Sequence, residues 1–249
     1  MILLTGISSK LIQFNYLLDL KYYMGRFDIS KRLLVGITGY KDRHWKDKLK
    51  EIDKYGFSTV SLFLERFEKD QRGMIYDALL KSKIRKIPLV HIREDMDKAE
   101  LSFLVKNYGS KYLTIHESGF KILKKWKGFY KKLYLEMNRD NFVSKKVDVS
   151  KIGGFCIDLS HFKMEEIART REFDYILKRK NMHKYFVCNH INGYSYRRNK
   201  DLHTVRSLKS FDYLKTLPRF LFGKTIGIEV DNSIKDQLKF KKRIIKLLS

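Results

Sequence analysis

The sequence predicts a protein of the α/β class, a single-domain (β/α)8 TIM barrel with parallel strands inside and helices outside. From residue 32 onward, short apolar runs alternate with amphipathic helical stretches eight times. No Pro-rich or Gly/Ser-rich linker divides the 249 residues, and no G-x-G-x-x-G turn of an open nucleotide-binding sheet is present. We therefore expect one barrel over residues 31–249, preceded by an N-terminal extension of unassigned role over residues 1–30.

Each strand is predicted from a short apolar run, because strands of a buried parallel sheet are apolar on both faces. The predicted strands cover residues 32–39, 59–65, 86–93, 111–117, 133–138, 154–161, 184–191 and 225–232.

The helices are predicted from apolar residues that recur every three or four positions. They cover residues 44–55, 73–82, 98–108, 120–129, 164–179, 208–217 and 234–248, and a short connection around residues 147–152 follows the fifth strand.

The composition is that of a globular protein, with 43% hydrophobic and 14% aromatic residues, and this excludes a disordered chain. No run approaches the roughly 20 apolar residues of a membrane span, and the apolar start at residues 1–4 has no basic lead-in. We expect a cytoplasmic protein without a membrane partner. Cys156 and Cys188 lie in the middle of apolar strands, which indicates reduced, buried thiols.

The net charge of +25 comes from 53 Lys and Arg against 28 Asp and Glu. Such a surface attracts polyanions, including nucleic acids and phosphorylated substrates. The lysines are spread over nearly every predicted helix, however, and a solvated Lys-rich surface explains the charge equally well. Charge alone therefore selects no function.

Residues that can bind metal ions recur at the strand ends, where the chemistry of such barrels is found. Five of the seven histidines are among them. In chain order they are His91, His116, Glu136, Asp158, His161, His190, Asp201, His203 and Glu229. Glu136, Asp158, His190 and Glu229 make a mixed oxygen and nitrogen set that suits Mn, Co, Mg or Zn, so we expect a divalent metal and no organic cofactor.

Taken singly, these residues have simpler explanations. Asp158 could cap the next helix, Glu229 could do the same, and Glu136 could pair with a lysine at the barrel rim. His91 or His116 could be an ordinary core histidine. Their recurrence on consecutive strands favours a metal site.

Four segments carry a resemblance to a known group of barrels: Cys156-Ile157-Asp158-Leu159-Ser160-His161, His190-Ile191-Asn192 with the later Asp201-Leu202-His203, Ile228-Glu229, and Leu135-Glu136. In these the chain resembles the xylose isomerase-like superfamily, which includes sugar phosphate isomerases, ketose 3-epimerases and the endonuclease IV type of nuclease (AP endonuclease family 2). The resemblance covers residues 32–248.

The epimerase-like members imply a metal-dependent sugar or sugar-phosphate isomerase, and the sequence favours this function. The four-residue set would hold one ion, and Glu136 and Glu229 would transfer the proton through an enediolate. The resemblance and the chemistry of the side chains imply substrate-binding roles for His91, His116, His161, Arg197 and Arg198. The expected partner is a small sugar; the sequence sets no oligomeric state.

The nuclease-like members imply an alternative, a three-zinc enzyme that cleaves DNA at abasic sites. Positions matching His91, His116, His161, Asp201 and His203 would supply the additional ligands, and nucleic acid would be the partner. Three departures count against it: Thr38-Gly39-Tyr40 lacks a histidine, Glu117-Ser118-Gly119 replaces a proline–glycine turn, and Asn192-Gly193 replaces an Asn-Asp pair. A barrel that binds without catalysis is a second alternative.

Overall fold

The structure, a computed structural model, describes residues 28–39, 44–136 and 147–249. In these ranges parallel strands form a barrel with helices around it, so the predicted fold class is confirmed. The predicted extension over residues 1–30 lies almost wholly outside the described residues, and its role stays a prediction. Ile29, just before the first strand, is buried in the main core.

The sheet closes on itself through its first strand, which is broken at Val35. The strands are β1 (Leu33–Leu34), β2 (Gly36–Ile37), β3 (Ser61–Phe63), β4 (Leu89–His91), β5 (Tyr112–Ile115), β6 (Leu133–Leu135), β7 (Gly154–Asp158), β8 (Phe186–Ile191), β9 (Gly193–Ser195), β10 (Lys200–Leu202) and β11 (Thr225–Ile228). The order around the sheet is β1-β11-β8-β7-β6-β5-β4-β3-β2, with parallel pairing throughout. Because β1 pairs with β11 and β2 with β3, the seam of the barrel lies at Val35.

Within the described residues, six α-helices and several 3-10 segments surround the barrel. The helices are α1 (Trp45–Tyr55), α2 (Lys69–Lys81), α3 (Lys98–Tyr108), α4 (Leu159–Ala168), α5 (Arg171–Leu177) and α6 (Ile234–Leu248). Capping side chains and glycines determine where these helices begin and end, as α3 shows. Asp97 accepts the backbone N–H groups of Ala99 and Glu100 at the start of α3, and Gly109 ends that helix in the left-handed region.

The prediction of one helix over residues 164–179 was wrong, because α4 and α5 are separate helices. Arg169 has a φ of 54° between them, which ends α4, and the side chain of Thr170 then caps α5. The strand predicted over residues 154–161 ends at Asp158, because Asp158 already serves as the N-cap of α4.

The helices predicted over residues 120–129 and 208–217 are instead 3-10 segments, Glu117–Trp126 and Leu208–Thr216. Most of their apolar residues recur at a spacing of three, as in Phe211 and Leu214 with the adjoining Leu217. A 3-10 helix has three residues per turn, so this spacing places all of them on one face, whereas an α-helix would spread them around.

An antiparallel hairpin of β9 and β10 follows β8 and was not predicted. Its turn is held by the buried Tyr194, whose hydroxyl donates to Asn199 Oδ1 at 2.6 Å. Asn199 has a φ of 42°, a conformation that asparagine tolerates better than most residues. The hairpin returns the chain to the barrel at Asp201.

The barrel interior is filled in layers. Cys156 and Cys188 are paired in register on β7 and β8 and pack with Leu89 and Tyr134. Both are free and fully buried, as the sequence predicted. They lie two residues before Asp158 and His190, so a hydrophobic layer forms the floor beneath the polar barrel mouth.

Gly227 on β11 faces the interior, where there is no room for a side chain. A Cβ atom there would lie 2.8 Å from Ser61 Oγ and 3.0 Å from the Phe63 ring. The space is used by Phe63, whose ring packs edge-on against His190 at a centroid distance of 5.0 Å. The inward direction of Gly227 matches the alternation expected along this strand.

Lys48 on α1 joins the first and last strands at the barrel seam. Its ammonium group donates to Thr38 Oγ1 at 2.5 Å, to the Thr38 carbonyl at 3.2 Å and to the Val230 carbonyl at 2.8 Å. The residue is only 2% exposed. Burial lowers the pKa of Lys48 to about 7, although Asp231 and Glu51 act to raise it.

This lowered pKa predicts a pH-dependent stability. An unfolded lysine keeps a pKa of about 10.4, so above about pH 7 the unfolded chain binds the proton more strongly than the folded protein. The contribution of Lys48 to the free energy of unfolding therefore rises with pH, by up to about 1.4 kcal/mol per pH unit, and levels off near pH 10.

Urea unfolding of the wild type and of Lys48→Met at about pH 7, 8 and 9 tests this expectation. The wild type should gain stability relative to the variant as the pH rises. Lys50→Met, an exposed change on the same helix, should show no such trend. A constant difference between wild type and Lys48→Met would contradict it.

None of the helices within the described residues is long and apolar enough to cross a membrane.

Candidate metal centre

The residues predicted at the strand ends lie together at the carboxyl-terminal mouth of the barrel. His91 and Asp158 end β4 and β7, His190 lies in β8, and His116, Glu136 and Glu229 directly follow β5, β6 and β11. The N–H of Glu136 donates to the Ile115 carbonyl at 2.8 Å, and that of Glu229 to the Ile191 carbonyl at 2.9 Å. Both glutamates thus continue the strand ladder, which fixes their backbones.

Four of these residues form what we call the inner group: His91, Glu136, His190 and Glu229. All four are buried, and they offer ligand atoms that lie within 4.8 Å of one another. His190 Nδ1 is 3.1 Å from Glu136 Oε2 and 3.2 Å from Glu229 Oε2. His91 Nδ1 is 3.3 Å from the same Glu136 oxygen. The inner group therefore combines two imidazoles and two carboxylates around one point.

Asp158 and His161 form a second group with Glu136, which we call the side group. The ligand atoms of the three residues also lie within 4.8 Å of one another. Glu136 takes part through its other oxygen, since Oε1 is 3.9 Å from His161 Nδ1. The two oxygens of one carboxylate thus face two different sets of ligands.

Asp201 and His203 reach the same mouth from the hairpin. His203 Nε2 is 3.1 Å from Asp201 Oδ2, and the His203 carbonyl accepts the N–H of Asp231, just past β11, at 2.7 Å. His161 is close enough to Asp201 for the two to shift each other's pKa values. The pair therefore adjoins the side group.

His116 lies at the edge of the inner group. Its Nε2 atom is 3.8 Å from Glu136 Oε2, and its ring meets the His91 ring edge-on at a centroid distance of 4.6 Å. Its side chain is 33% exposed, far more than that of His91. All nine ligand-type residues are thus at one end of the barrel.

Asp158 performs the capping role as well. Its Oδ1 atom accepts the N–H groups of Ser160 and His161 and the Ser160 hydroxyl, at 2.7 to 2.9 Å. Its Oδ2 atom faces the site and accepts the side-chain N–H of Asn192 at 2.6 Å. The capping and ligand interpretations are therefore compatible, because each uses a different oxygen.

The orientation of His190 is fixed through its second nitrogen. Nε2 lies 3.4 Å from Thr114 Oγ1, which leaves Nδ1 directed at the two glutamates. Metal-binding histidines commonly have their second nitrogen held in this way.

Several buried atoms at the site have no hydrogen-bond partner among the described residues. They include both ring nitrogens of His91, the Nδ1 atoms of His161 and His190, and Glu136 Oε2. Leaving such atoms unpaired costs on the order of 1–3 kcal/mol each. Divalent cations in the inner and side groups would satisfy one nitrogen of each of these imidazoles and the Glu136 oxygen, and nitrogen with carboxylate oxygen is a common ligand set for such ions. The cluster is compatible with a metal site.

The charges of these residues depend on one another. Burial acts to raise the pKa of Glu136, but His190 and His91 outweigh it and lower the pKa to about 2. Burial acts to lower the pKa of His190, but Glu136 and Glu229 raise it well above its usual range. Without an ion, protons on the histidines balance the carboxylates. Metal binding must displace these protons, because only neutral imidazole coordinates.

The hairpin pair is also strongly coupled. Burial acts to lower the pKa of His203, but the hydrogen bond to Asp201 prevails and raises it to about 9. The pKa of Asp201 is lowered, chiefly by the same bond. Burial lowers the pKa of His116 to about 4, with a further contribution from His91.

The structure does not bring Arg197 and Arg198 to the cluster. Both are exposed in the turn of the hairpin, next to Tyr196, which is 54% exposed. The Tyr196 ring meets the buried Tyr194 ring at a centroid distance of 4.9 Å. The substrate-binding role of Arg197 and Arg198 therefore stays a prediction.

Two further residues at the site, Glu65 and Asn192, were not predicted from the sequence. Glu65 Oε2 is 3.6 Å from His91 Nδ1, and Asn192 donates to Asp158. Alternation along the strands could have found both, since Glu65 lies two residues beyond Phe63 and Asn192 two residues beyond His190.

No protein-family model matches the sequence, and no curated protein matches it. Among solved structures, the chain is similar to one described as "Crystal structure of D-tagatose 3-epimerase-like protein", with 12% identity and a TM-score of 0.48. The similarity covers 86% of this chain and 97% of that chain. Ketose 3-epimerases belong to the superfamily that the sequence resembles, but at this identity and score the likeness assigns no reaction.

The roles of these residues in metal binding stay a prediction, which elemental analysis can test. Glu136→Gln should lower the metal content per chain more than any other single change, because Glu136 belongs to both groups. The control variant Glu166→Gln, which removes the charge of a residue that contacts Lys163 on α4, should keep the wild-type content. Equal metal content in Glu136→Gln and the wild type would contradict the assignment.

Proposed function

We propose that this protein is a hydrolase that uses more than one divalent metal ion to cleave phosphodiester bonds, with abasic DNA as the preferred substrate. The two oxygens of Glu136, which face the inner and side groups separately, are the observation that carries the proposal. A carboxylate in this position is suited to bridge two ions. A single-ion isomerase would need only four ligands, whereas nine are gathered here.

The residues divide into two ligand sets. The inner group and His116 would hold ions on one side of Glu136. Asp158, His161, Asp201 and His203 would hold an ion on the other side. When bound, such ions supply an activated water at neutral pH and stabilise charge on phosphoryl oxygens.

The surrounding side chains support a polyanionic substrate. Arg66 lies at the rim, with its Nη1 atom 3.9 Å from Asp231 Oδ2 and a third of its side chain exposed. Arg197 and Arg198 on the hairpin add two cations, and Tyr196 adds an exposed aromatic ring on which a base could stack. The net charge of +25 favours the same class of ligand.

The reaction itself consumes one water. Its oxygen forms a bond to phosphorus 5′ to the abasic site, and the bond between phosphorus and the 3′ oxygen of the preceding nucleotide breaks. The proton lost by the water is balanced by the proton gained by that 3′ oxygen. The products are a 3′ hydroxyl and a 5′ phosphate.

A sugar isomerase or epimerase with one ion is the second candidate. One observation favours it: Glu136 and Glu229 both approach His190 Nδ1, at 3.1 and 3.2 Å. Two carboxylates around one point could remove and return a proton on a small substrate. In that enzyme Glu136, Asp158, His190 and Glu229 would be the metal ligands, and Asp201 and His203 would not be needed for binding the ion.

His203→Gln separates the two candidates. For a nuclease we expect cleavage of an oligonucleotide with an abasic site to fall by about 100-fold or more, because the variant removes a metal ligand. For a single-ion isomerase we expect little change in the turnover of ketoses and their phosphates. Both assays would be run with wild type, His203→Gln and Glu166→Gln. Incision by the wild type that is unaffected in His203→Gln would contradict the proposal, as would sugar turnover without incision.

The hairpin arginines should contribute to binding of nucleic acid. We expect the double variant Arg197→Gln/Arg198→Gln to bind abasic duplex more weakly and with a shallower dependence on salt. The log–log slope should fall by about 0.9 for each phosphate that the variant no longer neutralises. Fluorescence anisotropy over a salt series measures both the affinity and the slope.

A matched double variant controls for the loss of charge alone. Lys81→Gln/Lys106→Gln removes the same charge from the last turns of α2 and α3, at the opposite end of the barrel, and should bind normally. Equal slopes for both double variants would contradict the assignment of the hairpin as a nucleic-acid contact.

A further inference from the structure

Glu65 is a largely buried carboxylate at the barrel mouth that the proposed ligand sets do not use. It follows β3 by two residues and shares the inward direction of Phe63, whose ring packs on His190. Its side chain is 16% exposed. The strand that it follows, β3, pairs with β4, which carries His91.

The two oxygens of Glu65 have different surroundings. Oε1 faces outward and is 3.6 Å from Arg66 Nε. Oε2 faces inward, is buried without a hydrogen-bond partner among the described residues, and is 3.6 Å from His91 Nδ1. A buried carboxylate oxygen without a partner is costly, so a positive group at this point would stabilise it.

His91 supplies the independent observation. It is only 2% exposed, and neither of its ring nitrogens has a hydrogen-bond partner within the described ranges. Nδ1 lies within 4 Å of three carboxylates, those of Glu65, Glu136 and Glu229. An imidazole nitrogen surrounded by carboxylates in this way points to a cation.

We propose that Glu65 is a further metal ligand, which with His91 completes the coordination of a divalent ion in the inner group. This inference rests on the proposed metal-dependent function and deepens it. With Glu65 the inner group has three carboxylates and two imidazoles. With this additional carboxylate the site is better suited to Mn²⁺, because Mn²⁺ prefers oxygen ligands such as carboxylates. Arg66 then balances the outer oxygen of Glu65 at the rim.

Titration of the metal-free protein with Mn²⁺ alone tests the inference, with the signal of free Mn²⁺ in electron paramagnetic resonance as the readout. In Glu65→Gln we expect one class of sites to bind Mn²⁺ about 10- to 100-fold more weakly than in the wild type. Glu68→Gln is the matched control, because Glu68 is exposed and contacts Arg93 at the surface. It should bind as the wild type does.

A second variant distinguishes coordination from charge. Glu65→Asp keeps the negative charge but withdraws the oxygen by one methylene group, so a ligand role predicts weakened Mn²⁺ binding here as well. Wild-type affinity in Glu65→Gln, or in Glu65→Asp, would overturn the inference and leave the proposed function standing. A wild type that binds neither Mn²⁺ nor Zn²⁺ would overturn both. Circular dichroism of each variant verifies that the barrel is folded.

Discussion

The crowding of buried carboxylates and imidazoles around Glu136 is the constraint on which the rest of the site depends. Buried charges are stable only when they are paired. Here the pairing is mutual: the histidines hold the pKa of Glu136 low, and the glutamates hold that of His190 high. The barrel supplies the rigid frame for this, because each residue of the inner group lies at or next to the end of a strand that is paired with a neighbour on both sides.

The packing beneath the site determines the orientation of His190. The packing of Phe63 against His190 is possible because Gly227 leaves the space that a side chain would fill. Thr114 holds the other edge of the same imidazole. A hydrophobic layer around the two cysteines closes the interior below. The orientation of His190 thus depends on a glycine, a phenylalanine and a threonine from three different strands.

The sequence was sufficient for the barrel and for the strand-end residues, because apolar runs and alternation report directly on burial. It was insufficient for features that depend on tertiary contacts. The break at Arg169 leaves no clear signal in the periodicity, and the spacing of three in Phe211, Leu214 and Leu217 was interpreted as an α-helix although it fits a 3-10 helix better. Glu65 was missed because an acid at a strand end can equally be a rim residue until His91 is seen beside it. The choice between a site for one ion and a site for several ions also required the distances between these residues. The same residue types occur in both kinds of site.

The residues of the inner group come from strands far apart in the chain, β4 and β11 among them. An ion held there joins segments that are separate in the unfolded chain, so it binds the folded protein alone. By mass action, free metal at about 100 times its dissociation constant adds about 2.7 kcal/mol to the stability of the fold. The lifetime of such a barrel would therefore follow the supply of metal in its surroundings, and scarcity would remove the protein as well as its activity.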